Sequence, residues 1–266
     1  MKLLELELFA RFRDRRDVKV LRHKDTNLDL WAMRGTREFV KYQNGQSWDV
    51  FGSARFIFSF IAERQKFGKF VGVWEVLSKK PRGKGFRYVT RELPGFKDME
   101  GRLVVHWGKG TRSWAQWLHR AGNKDISEIL PPDYVADFPG YYDFVLRHDQ
   151  LVRMVNNQES NREWYRMLSS VSGVYVILDT VSGRQYIGSA YGARGIWARW
   201  SRYAKSPSGG NILLKELLAK HPDRYKKFQF ALLRVLEPGI TKEAVVDHET
   251  MAKRKLGSRA FGLNAN

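Results

Sequence analysis

The chain contains no cysteine, which removes disulfide frameworks, thiolate zinc sites and cysteine nucleophiles together. No apolar run approaches the ~18 residues of a membrane span, so no transmembrane helix is expected. The opening MKLLELELFARFRD carries acids where a signal peptide needs a clean apolar stretch; the expectation is a cytoplasmic protein of bacterial or phage-like context. Acidic residues are scarce, with 28 Asp+Glu against 47 Lys+Arg and a net charge of +19. An imbalance of that size speaks about partners rather than fold, and polyanions are the natural candidates. Low-complexity Lys/Arg tails of the ribosomal or chromatin kind are also missing. The basic residues are instead interleaved with aromatics, as in RFRDRRDVKV, HWGKGTRSW and WARWSRY. That pattern suits folded surfaces that contact phosphate while offering stacking planes.

What is present is enough for packed cores: 43% hydrophobic and 14% aromatic residues over 266 positions. At ~150 residues per domain, that length predicts two domains. The segment ISEILPPDYVADFPGYYDF holds three of the eight prolines and reads as an irregular connection. LVRMVNNQESNREWYRMLSS then reads as helical, broken at Asn-Asn-Gln. The expected organisation is a first domain over 1–140, a linker with helix over 141–170, and a second domain over 171–266. Both halves are basic, the second with 16 Lys+Arg against 7 Asp+Glu.

The first half carries six of the nine tryptophans. KFVGVWEVL (Lys69–Leu77) and GRLVVHWG (Gly101–Gly108) read as strands bounded by Gly and Pro clusters. SARFIFSFIAERQK (Ser53–Lys66) reads as an amphipathic helix, RGTREFVKY as a strand, and TRSWAQWLHRAG (Thr111–Gly122) as a short helix. The predicted class is α+β or β-barrel-like, with a faint similarity to PUA-type barrels. Lys109, Arg112 and Trp114, grouped after a strand, are candidate contacts to phosphate and base. A solvated turn followed by a core Trp carries equal weight. His106 on its strand reads as structural, because no second His lies at metal-ligand spacing.

Chemistry concentrates in the last third. SGVYVILDTVSGRQYIGSA (Ser172–Ala190) is two alternating strands joined by a turn, a β-hairpin. Pairing its strands can set the phenols of Tyr175 and Tyr186 side by side, with Gly188 leaving space beside them. A Tyr-bearing hairpin alone is core packing more often than catalysis. In ARGIWARWSRYAK (Ala193–Lys205), Ile196, Trp200 and Ala204 form an inward helical stripe, and Arg199 and Tyr203 are i, i+4 neighbours. In TKEAVVDHETMAKRKLG (Thr241–Gly257), Val245, Glu249, Ala252 and Leu256 form a stripe with a carboxylate at an apolar position. Such a carboxylate must be paired, hydrogen-bonded or bound to a metal. A structural ion pair with an arginine and a metal ligand are equally good readings of the spacing.

Together these three elements resemble the GIY-YIG nuclease family. Gly173-Val174-Tyr175 stands for the first triplet and Tyr186-Ile187-Gly188 for the second. Arg199 matches the helix arginine, Asn211 a recurring polar position, Glu249 the metal-binding glutamate and Asn264 the late asparagine. The resemblance covers Val171 to the end of the chain. Two positions depart from it: Val174 replaces Ile, and Tyr203 stands where some members carry His.

The resemblance implies a small mixed sheet flanked by helices and hydrolysis of phosphodiester bonds in DNA. The implied catalytic set is Tyr175, Tyr186, Arg199, Tyr203 and Glu249, supported by Gly173, Gly188, Asn211 and Asn264. Glu249 would hold one Mg²⁺ (or Mn²⁺), a cation that prefers oxygen ligands. Arg199 would grip the phosphate. Tyr175 would orient or deprotonate the attacking water if nearby cations lower its pKa. Arg194 and Arg202 join the candidate DNA contacts, and residues 1–140 become the DNA-recognition half of a restriction or anti-foreign-DNA enzyme. Homing-type and repair-type nucleases, and a non-cleaving nucleic-acid-binding protein, are the alternatives. Cutting both strands with one site per chain needs a homodimer or two sequential nicks.

Overall fold

A computed structural model describes every residue except 64–65, 109–112 and 266. The fold is α+β, and the chain divides into two units, Met1–Pro132 and Asp133–Asn266. No described helix is long and apolar enough to cross a membrane.

In the first unit, in chain order, α1 (Glu7–Ala10) precedes β1 (Val18–His23), α2 (Leu30–Met33), α3 (Arg37–Asn44) and β2 (Gly45–Gln46). The long strands β3 (Phe56–Glu63), β4 (Phe67–Arg82) and β5 (Gly85–Glu92) follow. The unit ends with β6 (Leu103–His106), β7 (Ala115–Trp117), α4 (Leu118–Ala121) and β8 (Ile126–Ile129). The sheet order is β2-β5-β4-β3-β1-β7, with β6 pairing both β4 and β8. β1 runs parallel to β3, and the other ladders are antiparallel.

Three local expectations are corrected here. Ser53–Lys66, read as a helix, contains β3. Its Phe58 and Phe60 enter one cluster with Phe9 and Phe70, while Ile57 and Ile61 enter another with Leu21 and Val71. A strand buried on both faces shows a continuous apolar run, which periodicity alone does not separate from a helix. RGTREFVKY, read as a strand, enters α3 instead at Arg37. Thr36 caps it by accepting from the Phe39 N–H at 3.3 Å, and Phe39 and Gln43 turn inward one helical turn apart. Thr111–Gly122 is not one helix: among its described residues Ala115–Trp117 is strand and only Leu118–Ala121 is helical, because β1 claims the former through Leu21↔Ala115 and Lys19↔Trp117.

The second unit begins at Asp133 rather than Val171, because its core takes in Leu146, Leu151, Met154, Trp164 and Leu168. After β9 (Leu146–Arg147), α5 (His148–Asn156) and α6 (Arg162–Ser169) come the hairpin strands β10 (Ser172–Asp179) and β11 (Gln185–Ala190). Next are α7 (Gly195–Lys205), α8 (Ile212–Lys220), β12 (Phe228–Leu236) and α9 (Lys242–Leu256). The sheet order is β11-β10-β12-β9. Every ladder among its described residues is antiparallel, in place of the mixed sheet expected. The reason is topological: α7 and α8 carry the chain across β10, so β12 returns along the direction of β11. Asp179, fully buried, ties the hairpin turn by accepting from Val181 N–H, Ser182 Oγ and Arg224 Nη1.

Candidate active site

The hairpin register places Tyr175 directly opposite Gly188 and Ile177 opposite Tyr186. The two phenol rings lie on one face, with centroids 6.5 Å apart. A Cβ on Gly188 would fall 2.5 Å from Tyr175 Oη and 2.8 Å from Tyr186 Cε1, so this strand position admits only glycine without displacement. Gly173 is constrained from the other side, since a Cβ there would meet Arg234 O of β12 at 2.4 Å.

Helix α7 lays its stripe on this face. Ile196 and Trp200 are fully buried and Ala204 partly so, which aims Arg199 and Tyr203 at the phenols. Arg199 Nε donates to Tyr175 Oη at 2.9 Å and Nη2 donates to Tyr203 Oη at 3.2 Å. The two hydroxyls are 3.1 Å apart, and Asn211 Nδ2 donates to Tyr203 Oη at 2.8 Å. Four of the residues named from sequence thus form one hydrogen-bonded network.

Of that network only Arg199 lines a cleft, and the other three members lie behind it. The cleft, about 550 Å³, is lined by Tyr186, Ser189, Arg199, Arg202 and Glu249 among others. Tyr175 and Tyr203 have no exposed surface, whereas Tyr186 retains 8%. The phenol at the cleft is therefore Tyr186, not Tyr175. Burial raises the pKa of all three phenols above the ordinary tyrosine value, and the Arg199 charge only partly offsets it. This corrects the expectation that Arg199 lowers Tyr175, because desolvation of a fully enclosed phenolate outweighs one guanidinium. Burial also opposes the charge on Arg199, but the surrounding phenols keep its pKa above the ordinary arginine value, so it stays charged.

Glu249 reaches the cleft from α9, whose N-cap Thr241 accepts from the Ala244 N–H at 3.3 Å. Its Oε2 accepts from Ser189 Oγ, and its Oε1 lies 2.7 Å from Lys253 Nζ. The ion pair expected as the alternative to a metal exists, with a lysine one turn on rather than an arginine. The α9 stripe is also shorter than predicted: Val245 is fully buried but Leu256 is 45% exposed. Among the described residues, no three His, Cys, Asp or Glu side chains gather at metal-binding distance. The donor set fits a single hard cation held by Glu249 and otherwise by water and substrate oxygens; it does not fit a two-metal site.

Asn264 stands apart from the cleft. Its Nδ2 donates to Ile187 O at 2.8 Å and its Oδ1 accepts from Ile187 N at 2.9 Å, fastening the 263–264 segment to β11. Arg202 lines the cleft from an exposed position on α7. Arg194 is exposed at the N-cap of α7 with φ 63° and does not line it. In the first unit, Lys109 and Arg112 lie outside the described residues. Trp114 is half-buried against the His23 ring at 5.6 Å, in keeping with the core reading. His106 accepts from the Gly108 N–H at 3.2 Å through Nδ1. Sequence reasoning passed over Ser189 and Lys253; the latter was legible as the Lys of an i, i+4 Glu–Lys pair.

No protein-family model matches the chain, and no curated protein matches it. It is similar to two solved structures of the catalytic domain of I-TevI, one described as an intron endonuclease mutant and one as a homing endonuclease. Each is 24% identical over 36% of this chain, covering 94% and 98% of the respective domain, at a TM-score of 0.30.

Proposed function

We propose that the chain is a metal-dependent DNA endonuclease of restriction or anti-foreign-DNA type, in which Asp133–Asn266 cuts and Met1–Pro132 supplies target recognition. The observation that carries this reading is the convergence of a phenol, two guanidinium groups and a carboxylate, Tyr186, Arg199, Arg202 and Glu249, on one cleft. Phosphodiester hydrolysis needs a positioned water, neutralisation of charge on the phosphoryl oxygens and stabilisation of the leaving oxygen.

Arg199 spends two of its five N–H donors on Tyr175 and Tyr203, which fixes the guanidinium and leaves the others for phosphate oxygens. Arg202 adds a second, more exposed positive charge at the rim. Tyr186, neutral at pH 7, holds the attacking water by hydrogen bonding rather than as a phenolate. Tyr175, Tyr203 and Asn211 act through Arg199 as positioning residues. Glu249 would hold Mg²⁺ or Mn²⁺, with Ser189 orienting the carboxylate; when bound, the cation supplies charge neutralisation at the phosphate and the leaving oxygen.

Incubation of the full chain with supercoiled plasmid in Mg²⁺ or in EDTA tests the reading. The expected result is nicking in Mg²⁺ only, reduced at least ~10²-fold by Arg199→Ala and by Glu249→Gln with DNA binding retained. A mobility shift without cutting in Mg²⁺ identifies a non-cleaving binder and overturns it. Fragment patterns on plain, methylated and hydroxymethylated DNA test the restriction role, which fails if cutting follows neither sequence nor modification.

A further inference from the structure

Both carboxylate oxygens of Glu249 are already engaged within the chain. Ser189 Oγ donates to Oε2, and Lys253 Nζ stands 2.7 Å from Oε1. The Glu249 side chain is 16% exposed and that of Lys253 8%, and both project from α9 one helical turn apart. The lysine is thus built into the site and is not a surface partner that solvent can draw away. An ion pair this enclosed returns little to stability, because taking both charges out of water offsets most of their attraction.

The rest of the cleft carries the same sign as Lys253. Arg199 and Arg202 line it, and Glu249 is the one acid among its described lining residues. Arg199 is fixed there by Tyr175 and Tyr203. Three cations therefore stand against one carboxylate. A divalent cation entering the free cleft meets that positive excess and shares its only carboxylate with an ammonium. Each like charge close by weakens such a site about tenfold or more. Backbone phosphates reverse the balance, because each brings negative charge to the arginines and oxygen ligands to the metal. Mg²⁺ is commonly held in this way, by one or two carboxylates together with substrate phosphates.

We propose that Lys253, together with Arg199 and Arg202, withholds the divalent cation from the free protein, so that Glu249 acquires it only with the phosphates of bound DNA. This order, DNA first and metal second, rests on the nuclease reading and goes beyond it. Cutting capacity is then assembled on the duplex and is absent from the free chain.

The test is Mn²⁺ binding to the full chain, read from the EPR signal of the free ion at about 150 mM salt, for protein alone, a duplex of about 30 base pairs alone, and the two together. The duplex is drawn from a plasmid site that the chain nicks, and spectra are recorded cold, before turnover. A Glu249→Gln chain in parallel separates uptake at the cleft from uptake by the duplex itself. Glu249-dependent binding is expected to be at least about tenfold tighter in the complex than in the free chain. By linkage, Mn²⁺ in place of EDTA is expected to tighten duplex binding by the same factor, read by fluorescence anisotropy. Lys253→Met removes the charge and keeps the apolar stem; it is expected to raise the Mn²⁺ affinity of the free chain about tenfold or more and to shrink the gain from DNA. Arg202→Ala, at an exposed position, is expected to do the same more weakly because solvent screens it.

Glu249-dependent binding that is equally tight with and without DNA overturns the proposal and leaves a metal-dependent nuclease standing. So does a Lys253→Met chain with wild-type thermal midpoint and unchanged Mn²⁺ affinity. If Lys253→Met lowers the midpoint, Arg202→Ala and the wild-type comparison decide the matter. Mn²⁺ uptake that depends on Glu249 in neither state, with nicking indifferent to EDTA, refutes the metal-dependent reading itself.

Discussion

Gly188→Ala tests how tightly the hairpin holds the phenols. The new methyl would sit 2.5 Å from Tyr175 Oη, 2.7 Å from Tyr175 Cζ and 2.8 Å from Tyr186 Cε1, where ordinary contact begins near 3.4 Å. Tyr175 is fully enclosed and Tyr186 can yield only toward the cleft that it lines, so one ring must move by close to ~1 Å or the β10–β11 ladder must open. Overpacking of this kind costs about 1–3 kcal/mol, which lowers the melting temperature by several degrees. The larger effect is functional. Tyr175 Oη accepts from Arg199 Nε at 2.9 Å, so displacing the ring releases the guanidinium that faces the cleft. A misplacement of ~1 Å in a positioning group can cost on the order of 10²-fold in rate. Thermal unfolding and plasmid nicking in Mg²⁺ measure the two effects on one preparation. Adding Tyr175→Phe removes the nearest clashing atom and is expected to recover part of the stability but none of the activity. An alanine variant with wild-type melting and wild-type nicking would falsify the close-packed arrangement and the positioning role built on it.

Three further outcomes are expected. Tyr203→Phe frees Arg199 Nη2 and leaves Asn211 Nδ2 with only Ser208 O; kcat should fall about tenfold or more while KM changes little, and equal loss in a binding assay would contradict a positioning role. Asn264→Ala strands the buried N–H and C=O of Ile187, a destabilisation of about 2–4 kcal/mol readable by urea denaturation, and a change below ~0.5 kcal/mol would count against the clamp. His23 is enclosed, and burial lowers its pKa to about 4 despite the hydrogen bond to Gln43, so the folded state excludes its charged form. The unfolded chain takes up that proton below its ordinary value near 6.5, so stability present above that pH is lost as the pH falls toward 4. The loss is on the order of 2 kcal/mol at pH 5, and His23→Gln should flatten the dependence measured by denaturation of the full chain.

Legibility followed the range of the interactions. The hairpin over Ser172–Ala190, α7 and α9 were readable because their periodicity, turn chemistry and caps are written in consecutive residues. β3 was not, because Phe58 and Ile57 are both buried by elements far away in sequence. The network members were nameable, but their depth was not: which phenol faces the cleft depends on where α7 rests on the sheet.

The Asn264 clamp has a further effect. β11 is the outer strand of its sheet, and the outward peptide groups of such a strand invite a neighbouring molecule to add itself. Here Leu263 N–H already occupies Gln185 O at 2.8 Å, and one side-chain amide occupies both backbone groups of Ile187. A carboxamide has the donor and acceptor of a peptide bond, so two residues imitate the partner strand that the sheet lacks. The edge is thereby closed to sheet extension at Gln185 and Ile187, and the cleft lined by the next residues of β11 is shielded from self-assembly.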